Sequence, residues 1–350
     1  MREAIEIANE RILVFGGTGS LGRALIRRLS ARNTLMLFSR DEAKHWTIRN
    51  QVGQADIVFA VGDIRDGNRV EEATLRFQPT IIIIAAALTQ VDPCEMTPYE
   101  SIQTNVLGIK NVVDVVSRHV NRLQGLESVL MVSTDKACAP ANVYGMCKAI
   151  AERLVTSQSL AFGQPRFVGV RYGNVLESRG SIIPLFRWQC EHAEFLTVTH
   201  PEMTRFVMTL EDSIDLIAAT AKGAKSGEIW LPRLKSMRIA DLAGIFARRY
   251  GKQVKIVGIR PGEKLHEALV SEPESARVTF DGTFYRMAPA HDVGDAANEI
   301  FTYSSDQSVL DATSLEAYME QLGIFSRVLS DFVGLEIEEI ASPSVARRGL

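Results

Sequence analysis

Eight residues near the amino terminus constrain this 350-residue chain more than any other feature. Phe15-Gly16-Gly17-Thr18-Gly19-Ser20-Leu21-Gly22 follows an apolar run, 12–15, and opens a segment with helical spacing, 21–29. Glycines at 16, 19 and 22 suit a tight turn, a close backbone approach and tight packing of helix on strand. The N–H groups at such a helix start, aided by the helix dipole, form a place for phosphates. A strand, glycine turn and helix in this order predicts a dinucleotide-binding unit at the start of a doubly wound sheet.

The next segments agree. Apolar strand candidates recur at 35–38, 57–61, 81–85, 129–132 and 167–170, with helical spacing clearest at 102–116 and 144–154. Strands that read as continuous hydrophobic runs between helices imply a parallel sheet covered on both faces. The expected fold is α/β, a Rossmann-type doubly wound parallel sheet with a smaller, discontinuous C-terminal substrate lobe. Residues 10–178 form the expected cofactor domain, and 211–235, with a helix at 214–221 and a strand at 228–231, return to it. Residues 179–210 and 236–325 are assigned to the lobe, and 326–350 to an exposed tail.

Composition excludes several classes. Lys plus Arg total 39 against 42 Asp plus Glu, a net charge of -3, so there is no basic footprint for nucleic acid. The longest apolar run, 81–88, is too short to span a bilayer. The first six residues carry acids and no apolar stretch of the secretory kind. Cys94, Cys138, Cys147 and Cys190 form no CxxC pair, which suits reduced thiols in the cytoplasm and offers no metal framework.

The strand ends carry the chemistry. The second ends in Ser39-Arg40, where a ribose-binding carboxylate would otherwise stand; a hydroxyl and a guanidinium suit a 2′-phosphate, so NADP is expected over NAD. Asp63, with Ile64 beside it, follows the third strand and is placed to meet the adenine edge. Thr18, Ser20 and Leu21 in the fingerprint and Ala86 after the fourth strand complete the expected cofactor contacts. Tyr144 and Lys148, four apart on a helix, share a face. A tyrosine of ordinary pKa, about 10, needs lowering to act as a base near neutrality. The Lys148 ammonium and an oxidised nicotinamide favour the phenolate. Thr134, at the end of the fifth strand, is placed to hold a substrate hydroxyl.

The fingerprint and the Tyr144/Lys148 pair resemble the extended short-chain dehydrogenase/reductase family. Narrower motifs are Ser133-Thr134-Asp135-Lys136-Ala137, Arg171-Tyr172-Gly173-Asn174-Val175, Ser178-Arg179-Gly180-Ser181, Met203-Thr204-Arg205-Phe206, Arg260-Pro261-Gly262-Glu263-Lys264 and Tyr303-Ser304-Ser305-Asp306. Over residues 11–323 this set resembles the bacterial UDP-N-acetylglucosamine 4,6-dehydratases, and Tyr144 favours their soluble C5-inverting branch.

That resemblance implies Tyr144 as hydroxyl base with Lys148 as its electrostatic partner, Asp135 as acid for the leaving hydroxyl, and Lys136 as base at C5. For those roles Lys136 has to be neutral and Asp135 protonated. Asn174, Arg179, Arg205, Arg260 and Glu263 fall in segments that hold the UDP-sugar, and relatives are homo-oligomers. Thr89 stands where family members often carry lysine, close to where nicotinamide and sugar meet, and Asp92-Pro93-Cys94 also departs from the pattern; both leave the exact sugar open. A UDP-sugar epimerase would need the Tyr144 chemistry but not Asp135 and Lys136. A non-catalytic NADP-sensing module would leave Tyr144 and Lys148 without a purpose.

Overall fold

A computed structural model describes residues 6–52, 56–176, 178, 181–292 and 299–326. These fall into two compact units. The first lies within Met1–Tyr172, Leu210–Arg233 and Leu269–Thr302; the second lies within Gly173–Thr209, Leu234–Ala268 and Tyr303–Leu350.

The first unit is built on a nine-stranded sheet. Its six leading strands are β1 (Arg11–Phe15), β2 (Thr34–Ser39), β3 (Ile57–Val61), β4 (Ile81–Ile84), β5 (Ser128–Thr134) and β6 (Arg166–Tyr172). They pair in parallel in the order β3-β2-β1-β4-β5-β6, the doubly wound arrangement expected from the alternation of apolar runs and helices. All four isoleucines of β4 are fully buried, as a central strand covered on both faces requires. Its core joins β1, β4 and β5 to helices α3 (Gly67–Phe77), α6 (Gly108–Arg118) and α7 (Val143–Thr156) through Leu13, Ile84, Val70, Val112, Met131 and Val155.

The expected strand at 228–231 is Ile229–Pro232 and lies parallel to β6. Beyond it the sheet departs from expectation. Residues 269–292 and 299–302, assigned from sequence to the substrate lobe, belong to the first unit instead. Phe284–Met287 pairs antiparallel with Ile229–Pro232, and Val278–Phe280 pairs antiparallel with Phe284–Met287. Such short segments carry little periodic signal, so their return to the sheet was not legible.

A second departure lies in the helix read at 102–116. The chain there runs as α5 (Pro98–Ile102), a π-helical turn over Gln103–Leu107, and then α6. The wide turn holds Asn105, fully buried, against the loop after β4. Its amide donates to the Leu88 carbonyl at 2.9 Å and its Oδ1 accepts the Leu88 N–H at 2.8 Å. Hydrophobic spacing cannot report one inserted residue whose purpose is polar.

The second unit has its own core, in which Phe186, Leu196, Val207, Leu242, Phe246 and Leu315 pack together. Its three-stranded sheet sets Thr204–Met208 between Asn174–Val175, parallel, and Lys235–Arg238, antiparallel. Residues 327–350, most of the expected tail, lie outside the described residues.

Candidate active site

The carboxyl ends of β1 to β5, with the start of α7, carry the sequence-predicted cofactor and catalytic residues of the first unit, and in an open α/β sheet ligands bind at that end. After β1 the chain turns through Gly16, whose φ is 84°. A Cβ there would lie 2.6 Å from the Ala86 nitrogen, so the turns after β1 and β4 meet at a distance only glycine allows. Gly22 is closed too: its Cβ would lie 2.1 Å from the Gly17 oxygen. Gly19 differs, because only the Gly16 oxygen, at 3.6 Å, comes within 4 Å of its Cβ position. It begins α1 (Ser20–Leu29) with no side-chain cap. The first-turn N–H groups around Ser20 and Leu21 therefore start beside an uncrowded glycine, which fits a pyrophosphate.

At the end of β2 the Thr18 hydroxyl donates to Ser39 Oγ at 3.1 Å, and His45 Nε2 lies 2.8 Å from the same oxygen. Arg40 is 3.8 Å from Asp63, which also holds Arg65 at 2.7 Å. Burial opposes ionisation of Asp63, but the hydrogen bonds and charge of Arg65, with Arg40 behind them, outweigh it and hold the carboxyl below its ordinary range. Asp63 is thus engaged by two guanidiniums rather than left open toward a base. Ile64 is buried in the core, Ala86 is half-buried, and Thr89 is exposed.

The catalytic candidates gather where β5 ends. The Thr134 hydroxyl lies 3.0 Å from Asp135 Oδ1, and Lys136 Nζ reaches that same oxygen at 3.1 Å. Asp135 is buried, with 1% of its surface exposed. Asn142 caps α7 by accepting the Gly145 N–H at 2.8 Å. A Cβ at Gly145 would fall 2.2 Å from the Lys136 carbonyl oxygen. Only glycine lets α7 start this close to the Asp135–Lys136 turn, and that closeness brings Tyr144 beside it.

The electrostatics of the tyrosine differ from the sequence expectation. Burial pushes the Tyr144 phenol up to about 12, and the charge of Asp135 adds to the rise; the charge of Lys136 and a hydrogen bond with Thr134 act in the opposite direction. Lys148, expected as the partner that lowers it, makes its own contact with β5. Its buried ammonium donates to the Val132 carbonyl at 2.6 Å. Burial draws that ammonium down to about 8, with Glu152 opposing the fall. The cation facing Tyr144 is therefore Lys136, because Gly145 seats the helix start on that residue while Lys148 lies one turn further along.

Behind Lys148 is a buried network that sequence reasoning missed. Arg171, quoted above only within a motif, binds Glu152 through Nε at 3.0 Å and Nη2 at 2.6 Å. It binds Glu274 at 3.0 and 2.9 Å and donates to the Leu269 carbonyl at 2.8 Å. Ser133 donates to Glu152 at 2.6 Å. Burial opposes a charged Glu274, yet the Arg171 guanidinium holds it at about 2. A charged triplet set alternately in strand, helix and a distant turn has no local spacing by which to find it.

In the second unit Arg205 and Arg260 approach one carboxylate, Glu263, at 3.6 and 3.8 Å. Arg205 is buried and donates to the carbonyls of Thr204 and Leu265, at 2.7 and 3.2 Å. Arg260 is more than half exposed. Asn174 has a buried Oδ1 without a hydrogen-bond partner among the described residues. Arg179 lies outside the described residues.

Residues 12–289 match the family described as polysaccharide biosynthesis protein. The chain belongs to that family. Among relatives of this family member, an inverting UDP-N-acetylglucosamine 4,6-dehydratase of Campylobacter jejuni is 34% identical over 88% of this chain and 96% of its own. A UDP-glucose 4-epimerase of Rickettsia bellii is 36% identical over 80% of this chain and 83% of its own. A protein of Methanocaldococcus jannaschii described as an uncharacterised membrane protein is 34% identical over 90% of this chain and 96% of its own. In the present chain no helix among the described residues is long and apolar enough to cross a membrane. The X-ray structure of Pen from Bacillus thuringiensis superposes with a TM-score of 0.82 at 29% identity, covering 91% of this chain and 98% of that one. The resemblance read from the motifs is thereby borne out at the level of family and fold.

Proposed function

We propose that this protein is an NADP-dependent lyase that converts a UDP-N-acetylhexosamine, with UDP-N-acetylglucosamine the first candidate, into a 4-keto-6-deoxy sugar nucleotide. Its product would serve surface-glycan or related glycoconjugate synthesis in the cytoplasm, and the working form would be a homo-oligomer. The observation that carries this reading is the pair of buried Asp135 and half-buried Lys136, 3.1 Å apart beside Tyr144. A 4-epimerase has no use for a second acid and base; a dehydratase needs both.

A nicotinamide cofactor held by the turn from Gly16 to Gly22 and by Ser39 and Arg40 would supply hydride exchange between C4 and C6. The protein handles the protons. Thr134 orients the C4 hydroxyl and Tyr144 takes its proton, assisted by the charge of Lys136. The C5 proton, now α to a ketone, is taken by Lys136, and Asp135 protonates the departing C6 hydroxyl. The pair reaches the required state internally: moving one proton from Lys136 to Asp135 gives amine and carboxylic acid together. Burial of Asp135 favours that neutral form, since desolvation penalises charge. Lys136 then holds the C5 proton and Asp135 has lost its own to water, which restores the ion pair; once hydride has reached C6, the exchangeable proton that Tyr144 took from the C4 hydroxyl passes to C5, which restores the phenolate. In the second unit, Asn174, Arg205, Arg260 and Glu263 are proposed to hold the UDP moiety. There Glu263 would keep two guanidiniums aligned until phosphate oxygens replace it.

Lys136→Ala tests this directly. General acid–base groups contribute about 10²–10⁴-fold, so the variant should lose water release by that factor while still exchanging hydride at C4. A variant that dehydrates at the parent rate would remove Lys136 from the mechanism and favour the epimerase reading.

A further inference from the structure

We propose that His45 is a specificity-determining positioning residue that, through the Ser39 hydroxyl, couples binding of a 2′-phosphate to uptake of a proton. This rests on the reading that Ser39 and Arg40 receive the 2′-phosphate of NADP.

A serine hydroxyl has one proton to donate and two lone pairs to accept with. At Ser39 one lone pair is filled by the Thr18 hydroxyl, at 3.1 Å. His45 Nε2 lies 2.8 Å from Ser39 Oγ and takes one of two roles. If Nε2 is bare, Ser39 gives it the proton and has nothing left for an anion. If Nε2 carries a proton, it fills the second lone pair and the serine proton is released to point at a phosphate oxygen. Thus 2′-phosphate binding through Ser39 selects an imidazole with a proton on Nε2, which the neutral Nε2–H tautomer supplies without proton uptake and the imidazolium supplies with it; the charge of the bound dianion favours the second.

The surroundings decide how that state is reached. His45 is buried, on α2 (Glu42–Gln51), and packs against the Phe59 ring of β3 with centroids 5.3 Å apart. Its Nδ1 is buried without a hydrogen-bond partner among the described residues. Burial acts first and disfavours the cation; Asp41 and Glu42 oppose this, and Arg49 reinforces it. The free protein therefore holds His45 neutral. The group facing it from β3 is uncharged, and Ser39 from β2 is neutral as well. An incoming phosphate dianion would be the strongest negative charge at the site and would stabilise the imidazolium behind Ser39. Because the bound state has the higher histidine pKa, the added affinity is complete below the free-state value. It fades as pH rises through the bound-state value.

The 2′-phosphate titrates too, with a second pKa near about 6, but it does so equally in every variant. His45→Gln keeps an N–H donor for Ser39 and removes the titration. The experiment measures dissociation constants of NADP and NAD from pH 5.5 to 9 for the parent and His45→Gln. The ratio of NADP affinities, parent over variant, should fall by up to tenfold per pH unit across the window, while the NAD ratio stays flat. Calorimetry of the parent in two buffers of different ionisation enthalpy should show proton uptake with NADP and none with NAD; this needs no variant to fold. NADP curves that run parallel, or no uptake beyond that of the phosphate, would overturn the coupling with the NADP assignment intact. Equal affinity of the parent for NADP and NAD at every pH would instead overturn the reading beneath it.

Discussion

The guanidinium of Arg40 lies 3.8 Å from Asp63 with 57% of its side chain exposed, so a 2′-phosphate would take it from Asp63 rather than find it waiting. Charge-assisted contacts contribute about 1.5–3 kcal/mol, and exposure and the exchange with Asp63 favour the low end. Arg40→Ala should therefore cut the preference for NADP over NAD by about tenfold, as read from paired titrations; equal losses for both cofactors would contradict the assignment. The placement of Ser39 and Arg40 at the end of β2, and of Tyr144 and Lys148 on α7, was legible, because motif spacing reports which groups share a strand end or a helix. Which cation faces Tyr144 was not legible. That depends on how deeply α7 presses onto the Lys136 carbonyl, a contact set by Gly145 and Asn142 acting together. His45 was silent for a different reason: six residues past Ser39 in a polar helix with only Ile48 buried beside it, it belongs to no motif and shows its role only through its 2.8 Å contact.

Among whole elements, the parallel order of β1 to β6 followed from the alternation of apolar runs and helices, since few other architectures bury such strands on both faces. Polar devices inside elements left no such trace. Arg171 joins β6, α7 and the turn at Glu272–Ser275 by pairing with Glu152 and Glu274. Removing one partner from a buried ion cluster costs about 3–5 kcal/mol, because the remaining charges stay buried and uncompensated. Arg171→Met should lower the free energy of urea unfolding by about that amount, and Glu274→Gln by less, since Glu152 still holds the arginine. A fully stable Arg171→Met variant would mean that the two carboxylates are neutral in the folded protein.

For the whole molecule, the exposed apolar residues of the first unit bear on assembly. Met146 and Ile150, one turn apart on α7, are 48% and 51% exposed, and Tyr99 on the neighbouring α5 is 68% exposed. Apolar surface concentrated on adjacent helices marks an interaction face, and a second copy of the chain is the proposed occupant. Light scattering should report at least a dimer, and Ile150→Lys should shift it toward monomer; a monomeric parent would contradict the proposal. The two-unit division was only partly legible, because the return of Val278–Phe280 and Phe284–Met287 to the sheet depends on short antiparallel pairings at its edge. The central claim is that Asp135 and Lys136 turn a ketone-forming site into a dehydrating one. It is tested most directly by incubating the protein with UDP-N-acetylglucosamine and NADP in deuterated water and examining the product by NMR and mass spectrometry. The account predicts a 4-keto-6-deoxy sugar nucleotide with one deuterium at C5 and none at C6, because the C6 hydrogen arrives as hydride from C4. A product that keeps its C6 oxygen and its C5 protium, altered only in configuration at C4, would contradict it.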